Sequence, residues 1–309
     1  MRIGRFDQRT DPLHAMIHSH IPIEGDGATE GPIDGSSVFP RQEEQTMLPV
    51  KRFHWDTPEY ADAFTTFLKY TGERIYVRQI LRGIFSHYPA ESCAIDWGAG
   101  EGDLTRLMLE HFQQVYAVEP HPGMRTVLAM RYPRAQVFDG TLISTIPPSA
   151  VAVGLISHVF YHVPDHKWGA YTIHAANQLT EDGVLVVTLK NPDSGCNQML
   201  EYFGAPRYNI YDGLAGAMRR HTEFDFSFTR VPGSISTPSF KDTLQIARFM
   251  LCDRDADAFS HSPTEEEFQE YVREHFWDER RDTGGWHYEE VFCFVRRNAV
   301  RGKQPEGRR

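Results

Sequence analysis

The sequence predicts an α/β fold in which a mostly parallel sheet is covered by helices on both faces. Between residues 93 and 190, short apolar runs typical of strands alternate with runs of helical periodicity. Repeated β-α units of this kind form parallel sheets. A glycine-rich turn directly follows the first strand pattern. The 309 residues are 40% apolar and 24% charged, so the chain can bury a sizeable core.

The elements follow one another in a regular order. The predicted strands are 93–97, 115–118, 135–138, 151–157 and 184–189. The predicted helices of this region are 104–111, 123–130 and 168–179, and residues 57–86 before it also have helical spacing. After residue 190 the periodicity is less regular, with strands over 224–231 and 291–295 and helices over 240–251 and 264–276.

The chain divides into three parts by composition. Residues 1–50 are rich in glycine and proline without periodicity, which predicts a flexible N-terminal arm that cannot bury a core. Residues 51–296 form the predicted domain, with an insertion over about 191–285 that we expect to cover the site as a helical lid. Residues 297–309 read as a basic, solvated tail.

Charge and cysteine usage exclude several classes of function. The formal net charge of −10 argues against a nucleic-acid partner, because phosphate binding needs a basic face. No run approaches the roughly 18 apolar residues of a membrane span, and the first residues lack the apolar segment of a secretory signal. The four cysteines are far apart, which favours reduced thiols and a cytoplasmic location.

The glycine-rich turn carries the strongest functional signal. Asp96, Gly98, Gly100 and Gly102 have the spacing Asp-x-Gly-x-Gly-x-Gly, which differs from the Gly-x-Gly-x-x-Gly of dinucleotide sites. Glycine lacks a Cβ, so the backbone can turn tightly and lie against a ligand. The carboxyl end of a strand in an open α/β sheet is the expected position of a nucleotide site. The preceding acid suits a ligand with a cationic amine.

A second acid ends the second predicted strand. Glu119 follows the apolar run 115–118. A carboxylate at this position can accept hydrogen bonds from both hydroxyls of a ribose. The alternative is a solvated carboxylate at a strand end.

Four segments together resemble a known family. Residues 95–102 (Ile-Asp-Trp-Gly-Ala-Gly-Glu-Gly) and 118–124 (Val-Glu-Pro-His-Pro-Gly-Met) are similar to motifs of class I S-adenosylmethionine (SAM)-dependent methyltransferases. Residues 157–165 and 179–186 resemble later motifs of the small-molecule branch, in particular the ubiquinone-type enzymes. The resemblance covers about 50–296. It implies a Rossmann-like fold with a mostly parallel seven-stranded sheet.

The resemblance also implies a set of cofactor contacts. Asp96 and the loop residues Gly98, Ala99 and Gly100 would hold the methionine part of SAM. Glu119 would bind the ribose, and Pro120 and Met124 would flank the adenine.

Two further segments complete this set. Gly140 and Thr141 would face the adenine edge, although the family often has an aspartate where Thr141 stands, and here Asp139 precedes the glycine. Ser157 and His158 would lie beside the sulfonium. The family commonly has a glutamate at the position of His158, so roles of that carboxylate do not transfer.

Candidate catalytic residues cluster after the fourth strand. His158, Tyr161 and His162 lie at the expected mouth of the site, and histidine titrates near neutral pH, so His158 or His162 can act as a base. A structural role behind the loop is the alternative for His162. The histidine spacing does not predict a metal site, because Pro164 interrupts the segment.

Tyrosines are the candidate substrate contacts. Tyr202, Tyr208 and Tyr211 follow the fifth strand without core periodicity, and Tyr60 belongs to an aromatic cluster near the start of the predicted domain. Ordinary core packing is the alternative for such side chains.

These observations favour methylation of a small-molecule acceptor, with specialised metabolism as a setting. The first alternative is a SAM enzyme of the same fold that releases methylthioadenosine, by cyclisation or aminocarboxypropyl transfer. An NAD-linked oxidoreductase is disfavoured by the glycine spacing, and a catalytically silent SAM-binding protein by the intact motifs. We expect no nucleic-acid or membrane partner, and the sequence leaves the oligomeric state open.

Overall fold

The computed structural model describes residues 49–54 and 57–298. The predicted N-terminal arm, apart from its last two residues, and the predicted tail beyond residue 298 lie outside the described residues.

Seven strands form one continuous sheet in the order β3-β2-β1-β4-β5-β8-β6. The first five are parallel, and β8 lies antiparallel between β5 and β6. A two-residue strand, β7, pairs with β8 beside this path. The bounds are β1 Cys93–Trp97, β2 Gln114–Val118, β3 Gln136–Phe138, β4 Val151–Ser157, β5 Leu179–Lys190, β6 Phe224–Thr237, β7 Trp277–Asp278 and β8 Thr283–Arg297. The predicted mostly parallel, seven-stranded α/β sheet is confirmed.

Nine α-helices lie in the described part of the chain. They are α1 Pro58–Tyr70, α2 Glu73–Phe85, α3 Asp103–Leu109, α4 Pro122–Arg131, α5 Trp168–Ala176, α6 Gly195–Tyr202, α7 Ile210–Arg220, α8 Phe240–Leu251 and α9 Glu265–Phe276. Short 3₁₀ turns at Phe160–His162, Asp165–Lys167 and Ala256–Ala258 connect some of them. Among the described residues, none of these helices has the length and apolarity to cross a bilayer.

The sheet buries both faces, and each face has its own core. Along β1, Ala94 belongs to one apolar cluster, while Ile95 and Trp97 belong to the other. Helices α2 and α3 pack on the first face, and α5 to α9 contribute to the larger cluster on the second. Strands buried on both sides read as continuous apolar runs, which explains why the sequence signal for β1, β2 and β4 was clear.

The helical spacing predicted for residues 57–86 corresponds to two helices rather than one. Thr71 forms a β-bridge with Ile235, and the Gly72 N–H donates to the Ser234 carbonyl at 2.9 Å. The Thr71 N–H still donates to the Phe67 carbonyl and closes α1, but the Gly72 N–H pairs with β6 and cannot continue the hydrogen-bond ladder of the helix. The helical prediction was therefore wrong at this junction.

Several predicted boundaries also differ from the structure. The helix predicted over 168–179 ends at Ala176, because Leu179 already pairs with Val151 as the first residue of β5. Strands β6 and β8 have 14 and 15 residues and are much longer than the predicted runs 224–231 and 291–295. They pair with each other from Phe224 opposite Arg297 at one end to Thr237 opposite Gly284 at the other. Long-range pairing of this kind leaves little trace in local periodicity.

Candidate active site

The glycine-rich loop is held at the carboxyl end of β1 by its neighbour β2. The N–H groups of Gly98 and Ala99 both donate to the Val118 carbonyl, at 2.8 and 3.0 Å. Gly98 has a φ of 74°, and a Cβ there would lie 2.4 Å from a methyl group of Val159. Only glycine fits this position, because both the backbone angle and the close contact exclude a side chain.

Gly100 differs from the other loop glycines because it faces open space. Its φ is 55°, and a Cβ built on it would meet no heavy atom within 4 Å. By contrast, a Cβ on Gly102, at φ 92°, would lie 2.5 Å from Leu128. Packing therefore explains Gly102, whereas at Gly100 the positive φ alone favours glycine and the space beside the backbone is open.

Asp96 is buried below the loop. Its Oδ2 atom accepts a hydrogen bond from the Thr105 hydroxyl at 2.7 Å. Burial raises the pKa of Asp96 to about 6, and the negative charge of Glu119 adds to this rise, although the Thr105 hydrogen bond lowers it. A cationic ligand group beside this carboxyl would favour its ionised form.

Glu119 is buried at the end of β2 and binds two backbone N–H groups. Its Oε2 accepts from Gly100 at 2.7 Å and its Oε1 from His121 at 2.8 Å. Each oxygen of a carboxylate has a second lone pair, so both can still accept a hydrogen bond from a ligand hydroxyl.

Pro120 and Met124 lie where α4 begins. Pro120 is exposed and Met124 is half-buried. The Met124 N–H donates to Nδ1 of His121 at 3.1 Å, so His121 caps the helix. This cap fixes the start of α4 directly beyond Glu119.

The segment after β3 forms a tight turn. The Thr141 carbonyl accepts N–H groups from both Ser144 and Thr145, and a Cβ on Gly140 would lie 2.3 Å from the Thr145 hydroxyl. Asp139 is ion-paired with Arg125 at 3.0 Å. Thr141 is exposed, and its hydroxyl lies 3.1 Å from that of Ser144.

Ser157 and His158 end β4 in an unusual conformation. The Ser157 hydroxyl lies 2.9 Å from that of Thr188, and the His158 N–H donates to the Thr188 carbonyl at 3.1 Å. His158 has a φ of 58°, in the left-handed region. This conformation is uncommon for residues other than glycine and concentrates at functional sites.

The His158 ring is oriented by two neighbours. Its Nε2 lies 3.6 Å from Oε2 of Glu290, which is 1% exposed. Its face stacks on Tyr161, with ring centres 5.8 Å apart and an interplanar angle of 16°. The structure thus brings the predicted residues His158 and Tyr161 together and adds a buried carboxylate.

The other two candidate catalytic residues differ in their surroundings. The Tyr161 hydroxyl accepts the backbone N–H of Lys190 at 3.2 Å, and burial holds the pKa of Tyr161 well above its usual range. Its hydroxyl is therefore protonated at neutral pH and is no base there. His162 is exposed at the end of the 3₁₀ turn.

Of the predicted substrate tyrosines, Tyr208 contacts this group, and Tyr60 lies on α1. Tyr208 is buried, packs edge-on against Tyr161 at 4.8 Å, and donates its hydroxyl to the Asp253 carbonyl. Tyr60 on α1 packs against Phe249 of α8 at 5.1 Å.

The other two tyrosines are placed elsewhere. Tyr202 is 66% exposed and packs against Tyr271 on α9, with ring centres 4.7 Å apart. Tyr211 packs against Phe228 of β6 at 5.0 Å. The structure does not bring these side chains to His158.

Three charged residues at the site were missed by sequence reasoning. Lys190 and Glu290 are buried directly opposite each other where β5 and β8 pair, and Asp253 follows α8. The Lys190 ammonium lies 4.8 Å from the ring centre of Phe67 on α1. Lys190 follows the apolar run 184–189 and Glu290 precedes the apolar run 291–295, so a charged residue at the end of a strand pattern was a usable signal for both. Nothing in the local sequence marks Asp253.

No group of three or more histidine, cysteine, aspartate or glutamate side chains in the described ranges is arranged to hold a metal ion. The cysteines described there are all free thiols.

The comparison with known families decides the assignment. Residues 95–187, from β1 to β5, match the family described as Methyltransferase domain. Over these residues the chain is similar to methyltransferase domains, which supports the predicted class I SAM-dependent methyltransferase superfamily. The matched range contains the glycine loop, Glu119 and His158, and SAM is the cofactor of this superfamily. The narrower resemblance to ubiquinone-type methyltransferases stays a prediction.

Relatives of this methyltransferase domain agree with the match. An uncharacterized methyltransferase of Exiguobacterium sibiricum is 35% identical over 97 residues, which is 31% of this chain and 45% of that protein. One from Geobacillus kaustophilus is 32% identical over 78 residues, 25% of this chain and 36% of that protein. The chain thus spans less than half the length of these two curated relatives.

Solved structures share the fold. YcgJ of Bacillus subtilis has a TM-score of 0.51 at 14% identity and covers 71% of this chain and 98% of its own. BH2331 of Bacillus halodurans C-125 has the same TM-score at 12% identity and covers 72% of this chain and 99% of its own. At such identities the likeness concerns the Rossmann-like methyltransferase fold alone.

Proposed function

We propose that this protein transfers a methyl group from SAM to a small-molecule acceptor. The observation that carries the proposal is the crevice at the ends of β1 and β2, where Gly100 faces open space beside the buried carboxylate of Glu119. A bare backbone next to a carboxylate with spare lone pairs suits a ribose, and the buried Asp96 suits a cationic amine. SAM carries both groups.

Different residues of the chain bind different parts of SAM. Glu119 accepts the ribose hydroxyls, and the loop from Gly98 to Gly100 with Asp96 holds the methionine part. Pro120 and Met124 flank the adenine, Gly140 and Thr141 meet its edge, and Ser157 with His158 lies beside the sulfonium. SAM supplies an electrophilic methyl group, and alignment of the acceptor then provides most of the catalysis.

Proton removal from the acceptor falls to His158. The imidazole lies at the end of β4 beside Glu290, and the left-handed backbone at His158 holds it there. Orientation by a carboxylate is how histidine bases are commonly positioned. His162 is the second candidate for the base. Tyr161 provides the ring on which His158 stacks.

The acceptor side is formed by α1 together with the segment 191–285, which we propose as a lid. Tyr60 and Phe67 of α1 pack on Phe249 of α8, and Tyr208 packs on Tyr161. Sites for small molecules are concave and mostly apolar with few polar groups, and this composition fits. Tyr202 and Tyr211 belong to the lid's outer packing.

Product analysis tests the proposal. The full chain is incubated with SAM carrying a trideuterated methyl group and a small-molecule extract, and both nucleosides and labelled acceptors are identified by mass spectrometry. S-adenosylhomocysteine together with a trideuteromethylated small molecule supports methyl transfer. Methylthioadenosine would instead establish the alternative SAM reaction. The Glu119→Ala variant is the control for background hydrolysis.

A further inference from the structure

Arg125 links the ends of two neighbouring strands. The residue is half-buried on α4, which follows β2 in the chain. Its Nη1 donates to the backbone carbonyls of Glu119 and Pro120, both at 2.9 Å. The same nitrogen lies 3.0 Å from Oδ1 of Asp139, which directly follows β3. One guanidinium nitrogen therefore connects the end of β2 with the end of β3.

The two carbonyl contacts are the stronger part of this link. A hydrogen bond from a charged donor is stronger than one between neutral groups. The side chain of Arg125 is 21% exposed, whereas that of Asp139 is 75% exposed, and an ion pair with so exposed a partner is worth little by itself. Asp139 therefore contributes mainly by holding the guanidinium in place.

A backbone contact joins the same two strand ends. The Glu119 N–H donates to the Phe138 carbonyl at 3.2 Å, so the last pair of the β2–β3 ladder is followed by one further hydrogen bond. Arg125 lies just beyond this bond. The backbone and the guanidinium together fix how the segment after β2 lies relative to the segment after β3.

The order of the strands indicates which part of the cofactor lies here. Strand β2 lies between β3 and β1 in the sheet. In the proposed function Glu119, after β2, binds the ribose, and the glycine loop after β1 holds the methionine part. The ribose carries the base and the methionine part at opposite ends of the sugar, so the base extends toward β3. Pro120 and Gly140, which are proposed to contact the adenine, are the neighbours of the groups that Arg125 joins.

The position of Asp139 bears on how the adenine is recognised. A carboxylate at the edge of the base could accept its exocyclic amine, and Asp139 is the acid of the segment 139–141. Its Oδ1, however, is directed to Arg125 on α4. Thr141, at the proposed edge, is neutral, and its hydroxyl lies 3.1 Å from that of Ser144. The geometry thus favours a role of Asp139 toward Arg125 over contact with the amine.

We infer that Arg125 is a positioning residue for the adenine part of the cofactor. It fixes the two strand ends that flank the base, and Asp139 acts on cofactor binding only through Arg125. This inference rests on the proposed function, since it concerns the cofactor side of the same site.

The test compares two nucleosides that differ only in the base. S-adenosylhomocysteine has an exocyclic amine, and S-inosylhomocysteine has a carbonyl at the same position. Both are titrated by calorimetry into the full chain, below the onset of unfolding. Arg125→Met removes all the donors at similar side-chain length and should weaken both ligands about tenfold. Asp139→Asn should weaken both about threefold, so the ratio of the two affinities should stay that of the natural protein.

The double variant tests whether Asp139 acts through Arg125. Effects of independent residues multiply, whereas residues of one network are not additive. In the Arg125→Met background, Asp139→Asn should therefore have no further effect, and the total loss should be about tenfold rather than about thirtyfold. Asp139 is exposed, so its variant should fold even if Arg125→Met does not.

Arg131→Met is the matched control. It removes a cation from the same helix, one that is 57% exposed and ion-paired with Glu101 at 2.6 Å, and it should leave both affinities unchanged. Normal binding by Arg125→Met, even with a lower unfolding temperature, would mean a purely structural role and overturn the inference. A loss in Asp139→Asn for S-adenosylhomocysteine alone would also overturn it, because Asp139 would then contact the amine. If the natural protein binds neither nucleoside, the proposed function fails as well.

Discussion

The carboxylate of Glu119 accepts a hydrogen bond from the backbone N–H of Gly100 at 2.7 Å. This bond joins the end of β2 to the one loop glycine that faces open space. The same contact orients the carboxylate and holds the loop against the sheet. This hydrogen bond therefore fixes the position of the residue that we assign to the ribose relative to the one that we assign to the methionine part of SAM.

Removal of the Glu119 carboxylate should weaken SAM binding. Glu119→Ala removes a charge-assisted acceptor, and we expect a loss of about 1.5–3 kcal/mol in binding free energy. Calorimetric titration with SAM measures it. Glu101→Ala is the control, because that exposed carboxylate is ion-paired with Arg131 at 2.6 Å and should not affect SAM. Equal affinities in both variants and the natural protein would contradict the ribose assignment.

Two glycine substitutions should separate binding from stability. Gly100→Ala places a methyl group in open space, so it should cost only about 1–2 kcal/mol of backbone strain while it obstructs the cofactor. Gly102→Ala adds steric conflict with Leu128 and with the Tyr132 ring at 2.7 Å, and should lower stability by about 1–3 kcal/mol more. Thermal unfolding and SAM titration of both variants test this. A Gly100→Ala variant that binds SAM normally would show that the cofactor does not approach this backbone.

The sequence predicts the parallel half of the fold and the cofactor motifs because their signals are local. Doubly buried strands give apolar runs, and Gly98 and Gly102 are required by backbone angles that only glycine adopts readily. The acceptor side has no such signal. Glu290 borders an apolar strand run, but it comes close to His158 only through the pairing of β8 with β5, and nothing local marks Asp253.

Ionisation of Asp96 should make the folded protein less stable at higher pH. Its pKa is raised from 3.8 to about 6, so the folded state holds this proton more tightly than the unfolded state does. The resulting loss in the free energy of unfolding grows as the pH rises from about 4 to about 6 and is constant at higher pH. Between pH 4.5 and pH 7.5 it amounts to about 2 kcal/mol.

Asp96→Asn isolates this contribution. We subtract the free energy of unfolding of the natural protein from that of the variant. This difference should be about 2 kcal/mol larger at pH 7.5 than at pH 4.5, so the variant gains relative stability as the pH rises. Urea unfolding at the two values measures the difference, and Asp257→Asn, at an exposed position, serves as the control. The variant should also bind SAM more weakly. The same difference at both pH values would mean that Asp96 does not titrate in this range.

Substitutions of His158 should distinguish its backbone from its side chain. Asn tolerates the left-handed region, so His158→Asn should fold like the natural protein, whereas β-branched Val should destabilise it by about 1–2 kcal/mol or more. If His158 is the base, turnover of the identified acceptor should fall about 10²–10⁴-fold in His158→Asn, with SAM affinity nearly unchanged. Release of S-adenosylhomocysteine measures turnover. Normal turnover in this variant would leave His162 as the candidate base.

Deletions from the N-terminus should show a sharp boundary near residue 48. Residues 1–47 have a composition that cannot bury a core, so their deletion should leave the unfolding temperature nearly unchanged. Residues 49–54 are different. The Val50 N–H donates to the Pro263 carbonyl at 2.9 Å, and the Val50 side chain is buried. Arg52 donates to the Leu251 carbonyl at 3.1 Å and lies over the Phe259 ring at 4.7 Å.

Deletion of residues 1–54 removes all of these contacts, and we expect it to lower the free energy of unfolding by about 3–5 kcal/mol, from one buried valine and about two hydrogen bonds. Urea unfolding of the two deletion variants measures the difference. If the shorter deletion destabilises the protein as much as the longer one, the boundary lies earlier in the chain, and the N-terminal arm contributes to the fold.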